Sequence, residues 1–168
     1  GGYICSEIAK SFVMLKANLF LIDKNLNKLE TLSEEINKFS NKKSKIVIFE
    51  ADTTNYSIMQ DLNSKITSKG NIDILINGSG INSSSDFLDI DLDDWNNVIK
   101  SQLNSVFISC KVFGKSMVKN KNGSIINISS TSAGPPLSRA FAYSAAKSGI
   151  TNLTKLKPML IERCLTIV

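Results

Sequence analysis

Tyr143 and Lys147 stand four residues apart in a stretch that reads as helix from about Ala142, and residues at that spacing share one helix face. A phenol with a pKa of about 10 exchanges protons poorly near neutral pH. A cation beside it favours the tyrosinate and lowers that pKa, so Tyr143 becomes a plausible general acid or base. Ser130 lies thirteen residues before Tyr143, just past an apolar run, where its hydroxyl could bond a substrate oxygen. A lone Tyr-x3-Lys pair is usually a surface helix pair, so the weight of this reading rests on what positions it.

Composition limits the alternatives. The 168 residues suffice for one domain with a core, and 42% hydrophobic content is ordinary for a globular protein. No apolar run has transmembrane length and no signal-peptide pattern opens the chain, so no membrane partner is expected. Three widely spaced cysteines, Cys5, Cys110 and Cys164, form no Cys-x-x-Cys and fit a reducing cytoplasm better than a disulfide framework. With no histidine, a Ser-His-Asp triad, a Cys-His pair and a His-ligated zinc are excluded within the chain. No metal site is expected. The net charge of +5 allows a nucleic-acid reading. The lysines, however, lie among asparagines, as at Asn41-Lys42-Lys43 and Lys119-Asn120-Lys121-Asn122. No stacking aromatics are interleaved with them and no nucleic-acid module is evident, so a solvated surface is the preferred reading and no nucleic-acid partner is expected. The charge could help attract an anionic cofactor or substrate.

Strands and helices alternate along the chain. Gly1 and Gly2 precede a helix with Ile4, Ile8, Phe12 and Leu15 at helical spacing. A strand over Ala17 to Ile22 follows, with Asp23 at its end. A glycine turn, a helix and a strand ending in an acid form part of a dinucleotide-binding unit. The glycines let the backbone approach a pyrophosphate, and the helix N-terminus offers it N–H groups and partial positive charge. Asp23 is placed to bond adenosine ribose hydroxyls, which favours NAD over NADP. Asn25 to Asn41 reads as a helix with Leu26, Leu29, Leu32, Ile36 and Phe39 on one side, and Lys45 to Ala51 as a strand. Asp52-Thr53 follow. Asp52 could cap the next helix, which starts near Asn55 with Ile58, Leu62 and Ile66 inward. The strand Ile72 to Ile76 runs into Asn77-Gly78-Ser79-Gly80, small residues that would let a cofactor lie against the backbone or simply make a turn. After a polar loop, Asp91 is a candidate N-cap for a helix over Leu92 to Lys119. Trp95, Val98, Ile99, Leu103, Val106, Phe107, Cys110 and Phe113 are its expected buried face. Ser124 to Ser129 reads as a central parallel strand. Pro158 interrupts the helix that follows, and Leu165 to Val168 reads as the start of one more strand. The pattern argues for one α/β domain with a parallel sheet.

The ordered set Gly1-Gly2, Asp23, Asp52-Thr53, Asn77-Gly78-Ser79-Gly80, Asn104, Ser130, Tyr143 and Lys147 resembles the short-chain dehydrogenase/reductase family. The resemblance implies a Rossmann-like, doubly wound parallel sheet with helices on both faces. It implies NAD as cofactor, with NADP the second choice, and a small-molecule carbonyl or alcohol substrate in a homo-oligomeric protein. In it Gly1, Gly2, Asp23, Asp52, Thr53 and residues Asn77 to Gly80 bind the cofactor. Ser130, Tyr143 and Lys147 catalyse, Tyr143 and Lys147 also touching the cofactor. Asn104 completes a tetrad through a backbone carbonyl that holds a water leading to Lys147. Cys5 replaces the third glycine of the family's turn. Gly-Gly-Tyr-Ile-Cys, Ile-Asn-Gly-Ser-Gly and Leu-Ser-Arg-Ala-Phe-Ala-Tyr-Ser-Ala-Ala-Lys are similar to the branch of sugar-acid reductases acting on D-fructuronate and D-mannonate. Residues 1–168 then form a single partial dinucleotide-binding domain, incomplete at both ends. In the strand order 3-2-1-4-5-6 the first strand is missing, so the sheet is expected to divide at that junction and to expose edges prone to aggregation. Two alternatives stand beside an oxidoreductase: an inactive nucleotide-binding fragment or remnant of the same fold, and a basic nucleic-acid-binding domain.

Overall fold

The computed structural model describes residues 2–39 and 44–155, together with the course of the strand Arg163–Ile167. Gly1, the Asn41-Lys42-Lys43 tract, Pro158, Val168 and the side chains of Phe39 and Cys164 lie outside the described residues. The chain divides into two compact units, residues 1–53 and 54–168.

In the first unit, helix α1 (Tyr3–Met14) begins directly after Gly2 and leads into strand β1 (Leu19–Asp23). Helix α2 (Leu26–Phe39) and strand β2 (Ile46–Glu50) follow. β1 and β2 pair in parallel, Leu19 opposite Ile46 and Asp23 opposite Glu50. Leu29, Leu32 and Ile36 are buried as their spacing requires, each worth about 2 kcal/mol of transfer free energy. In α1 the spacing misleads. Ala9 and Val13 are the buried pair, while Ile4 and Leu15 are exposed. The small Ala9 and Val13 suit a face packed on both α2 and β1. Lys10 ties the two helices on the outside, reaching Glu7 at 3.0 Å and Glu35 at 3.1 Å.

The second unit holds helix α3 (Tyr56–Thr67), strand β3 (Ile74–Asn77), helix α4 (Leu92–Ile99) and helix α5 (Ser105–Lys119). Strand β4 (Ser124–Ile128), helix α6 (Phe141–Lys155) and strand β5 (Arg163–Ile167) complete it. Its sheet is parallel in the order β3-β4-β5. The described strands thus form a two-stranded and a three-stranded parallel sheet, each with the neighbour order expected for its part of a doubly wound fold. The fold class is α/β, as the alternating pattern requires.

Three local corrections have physical causes. Asn55, not Asp52, caps α3, its Oδ1 accepting the Ile58 N–H at 3.1 Å. Met59 takes the buried place expected for Ile58, which is exposed. The helix expected over Leu92 to Lys119 begins under its Asp91 cap, which accepts the Asp93 and Asp94 N–H groups at 2.8 and 3.1 Å. It is then interrupted by a π-helical turn, Lys100–Asn104. A π turn adds a residue to the helical path, so the buried face rotates across it. Val98, Val106 and Phe113 are buried as expected, but Phe107 is half-exposed, and Ser109, Val112 and Met117 join the core instead.

A buried polar ladder crosses the sheet of this unit. Asn77 and Asn127 are register partners on β3 and β4. Asn77 Nδ2 donates to Asn127 Oδ1 at 2.8 Å, Asn127 Nδ2 donates to Thr154 Oγ1 at 2.9 Å, and Thr154 Oγ1 donates to the Ile150 carbonyl at 2.7 Å. The Cys110 thiol also reaches Asn127 Oδ1, at 3.7 Å. Each polar group is matched where water cannot reach, which makes the burial tolerable. Among the described residues no helix is long and apolar enough to cross a membrane.

Candidate active site

α6 carries Tyr143 and Lys147 one turn apart, on a helix packed against β4, the π turn and the 3₁₀ turn Thr131–Ala133. Tyr143 is half-buried and Lys147 is only 5% exposed. The Lys147 Nζ donates to the Ile128 carbonyl at 2.7 Å, at the last residue of β4, and lies 5.4 Å from the centre of the Tyr143 ring. A buried ammonium requires such acceptors and π-faces to offset its lost hydration. Ser129 fastens the same helix to the strand end: its Oγ donates to the Lys147 carbonyl at 3.1 Å and accepts from Thr151 Oγ1 at 2.6 Å.

Ser130 follows in extended conformation and caps the Thr131–Ala133 turn. The loop beyond it is pinned to α6 at two points. Ser148 Oγ donates to the Ala133 carbonyl at 2.6 Å, and the Leu137 N–H donates to Ser144 Oγ at 3.2 Å. Ser130, Tyr143 and Lys147 therefore belong to one assembly of strand end, pinned loop and helix. Spacing had already singled them out. The pinning serines, 129, 144 and 148, had no signal beyond being serines near a strand end.

The segment after β3 has a different character from its sequence reading. Asn77 is buried with its amide committed to Asn127, so it points into the sheet rather than out of it. Gly78, Ser79 and Gly80 are exposed, and Ser79 Oγ donates to Ser105 Oγ at 3.4 Å. A Cβ at Gly80 would run into the Gln102 side-chain amide. The π turn clasps the next residue on both sides: Gln102 Nε2 donates to the Ile81 carbonyl at 2.9 Å, and the Ile81 N–H donates to Ser101 Oγ at 3.2 Å. Asn104 is exposed, whereas Gln102, two residues earlier, is 4% exposed. The inward polar residue of this turn is Gln102, because the added residue of the π turn changes which side chains face the protein. Sequence spacing carried no sign of that shift. Gly149 completes the contact from the other side, since a Cβ there would stand 3.0 Å from Leu103 Cδ2.

In the first unit, Asp23 ends β1 with Oδ1 accepting the Asn25 N–H at 2.9 Å. A carboxyl with the ordinary pKa of about 4 is an anion at neutral pH, so Asp23 is a suitable acceptor for a ribose diol. Asp52 and Thr53 lie just past β2, Asp52 exposed and released from the capping role by Asn55. Gly2 has no atom within 4 Å of where a Cβ would stand, so the backbone entering α1 is open to close approach. Gly1 lies outside the described residues. These donors, acceptors and open glycine backbone fit a dinucleotide. No group of three or more His, Cys, Asp or Glu side chains that could hold a metal occurs among the described residues.

Comparison with known proteins places these features in a family. Residues 1–160 match the short chain dehydrogenase family. An uncharacterized oxidoreductase of Haemophilus influenzae is 33% identical over 92% of this chain and 60% of its own length. D-threitol dehydrogenase of Mycolicibacterium smegmatis is 26% identical over 91% of this chain and 58% of its own. The chain therefore spans about 60% of the length of these curated relatives. Among solved structures, an alcohol dehydrogenase from the archaeon Thermococcus sibiricus, complexed with 5-hydroxy-NADP, superposes with a TM-score of 0.86 at 14% identity, covering 95% of this chain and 68% of that one. With a match over nearly its whole length, and with the tyrosine, lysine and serine set at one strand end, the chain belongs to the short-chain dehydrogenase family.

Proposed function

We propose that the protein carrying this chain is a nicotinamide-dependent oxidoreductase that interconverts a carbonyl and a secondary alcohol. The observation that best supports this reading is the buried Lys147 ammonium beside the Tyr143 ring and the end of β4. The Tyr143 phenol gives its proton to a carbonyl oxygen during reduction and takes it back from the alcohol during oxidation. Ser130 donates a hydrogen bond to the same oxygen and stabilises the negative charge that develops there. A bound nicotinamide supplies or accepts the hydride. Lys147 would also hold the nicotinamide ribose, Gly78 to Gly80 would lie against the cofactor, and Gly2, Asp23, Asp52 and Thr53 would hold its adenosine and pyrophosphate. The ionised Asp23 favours NAD, because a second anion at the ribose, the NADP phosphate, would be repelled.

The narrower reading is a polyhydroxylated substrate, the D-fructuronate and D-mannonate pair. It rests on the three motifs that resemble that branch, and a relative named for D-threitol also acts on a polyol. A cytoplasmic location goes with this reading, supported by three widely spaced cysteines with no Cys-x-x-Cys. The test is the intact protein with NADH or NADPH and a panel of D-fructuronate, D-erythrulose and 2,3-butanedione. Oxidation of NADH dependent on one of these carbonyls is expected, fastest with D-fructuronate. Faster turnover of another member would remove the sugar-acid reading alone. NADH binding without turnover of any carbonyl would favour the inactive nucleotide-binding fold.

A further inference from the structure

Ser132, a residue with no role in the reading above, is almost completely buried at 1% exposure. Both of its donors converge on one atom. Its N–H donates to Ser130 Oγ at 3.2 Å and its hydroxyl donates to the same oxygen at 2.9 Å. A serine hydroxyl has one proton to give and two lone pairs with which to accept. Ser132 thus occupies the whole accepting capacity of Ser130 and leaves it only its own proton. Among the described residues that proton has no acceptor.

We infer that Ser132 is a positioning residue that fixes the Ser130 hydroxyl as a pure donor, aimed at the substrate oxygen. This rests on the role given to Ser130 under the proposed function. A serine that could rotate would spend part of its time accepting from water. With both lone pairs engaged from behind, the donor orientation is set before substrate arrives, which is the preorganisation that makes such donors effective. The two incoming hydrogen bonds also polarise the Ser130 O–H and strengthen its outgoing bond.

The decisive experiment is a double-mutant cycle on the intact protein, with NADH and the three carbonyls named above as probes. Ser130→Ala is expected to lower kcat/KM about a hundred-fold. Ser132→Ala is expected to lower kcat about ten-fold, leaving the NADH dissociation constant and the unfolding midpoint close to those of the unsubstituted protein. In the double variant, Ser132→Ala is expected to cost nothing further, because the hydroxyl it orients is gone. Ser132→Thr, which keeps the donor, should restore most of the rate. An unchanged rate in Ser132→Ala would overturn the inference, as would a double variant that loses the product of the two single factors. Should Ser132→Thr be too large to fold, the alanine cycle still decides. If the unsubstituted protein reduces none of the probes, or Ser130→Ala keeps full activity, the proposed function itself fails and the inference with it.

Discussion

Asp23 ends β1 as a carboxylate, and its Oδ1 accepts the Asn25 N–H. Replacing it with serine removes the negative charge while leaving a hydrogen-bonding group. Asp23→Ser is therefore expected to shift the ratio of kcat/KM for NADPH to that for NADH upward by at least about ten-fold, equivalent to roughly 1.4 kcal/mol. Steady-state kinetics with the two cofactors on one carbonyl would measure it. An unchanged ratio would remove Asp23 from cofactor selection. Asp23, Ser130, Tyr143 and Lys147 were all legible in the sequence, because each is a chemically distinct residue at a position fixed by a strand end or a helical repeat. Ser132 was not. It is one serine in a serine-rich run, and only the folded turn brings its two donors onto Ser130 Oγ.

At the scale of elements, the site depends on how β4 and α6 are joined, and the Asn77–Asn127–Thr154 ladder makes part of that joint. Asn127 is 1% exposed. Truncating it takes from the buried Asn77 amide its 2.8 Å acceptor, at a cost of about 1–3 kcal/mol, while the Thr154 hydroxyl keeps its bond to the Ile150 carbonyl. Asn127→Ala is expected to lower stability in denaturant titration by that order. An Asn77→Ala/Asn127→Ala pair should lose less than the sum of the two single changes. A loss below about 0.5 kcal/mol for Asn127→Ala would mean that the ladder contributes little. Element order and type were readable from hydrophobic periodicity and from caps such as Asp91. The π turn was not, because Lys100–Asn104 contains neither proline nor glycine to announce a break. Its consequences, a half-exposed Phe107, an exposed Asn104 and a buried Gln102, follow from one added residue that no spacing rule anticipates. The exchange of Ile58 for Met59 in α3 has a similar origin, since adjacent apolar residues leave the phase of a helical face undetermined.

At the scale of the molecule, two parallel sheets supply the two kinds of residue that the proposed reaction needs. The unit of residues 1–53 carries the glycine entry, Asp23, Asp52 and Thr53. The unit of residues 54–168 carries Ser130, Tyr143 and Lys147. The neighbour order within each sheet, β1-β2 and β3-β4-β5, is the one expected from the doubly wound order. That was readable because parallel strands alternating with helices admit few arrangements. Binding and chemistry are assigned to different residues, and they should therefore separate on substitution.

That separation can be measured most directly in Tyr143→Phe of the intact protein, by NADH binding and by turnover of a carbonyl that the unsubstituted protein reduces. The phenyl ring keeps the packing of α6 and removes only the hydroxyl. NADH affinity is expected to remain within about two-fold while kcat falls by about a hundred-fold or more, the scale set by losing a general acid. Turnover at the unsubstituted rate would contradict the assignment of Tyr143 as the proton donor and, with it, the reaction proposed for this protein.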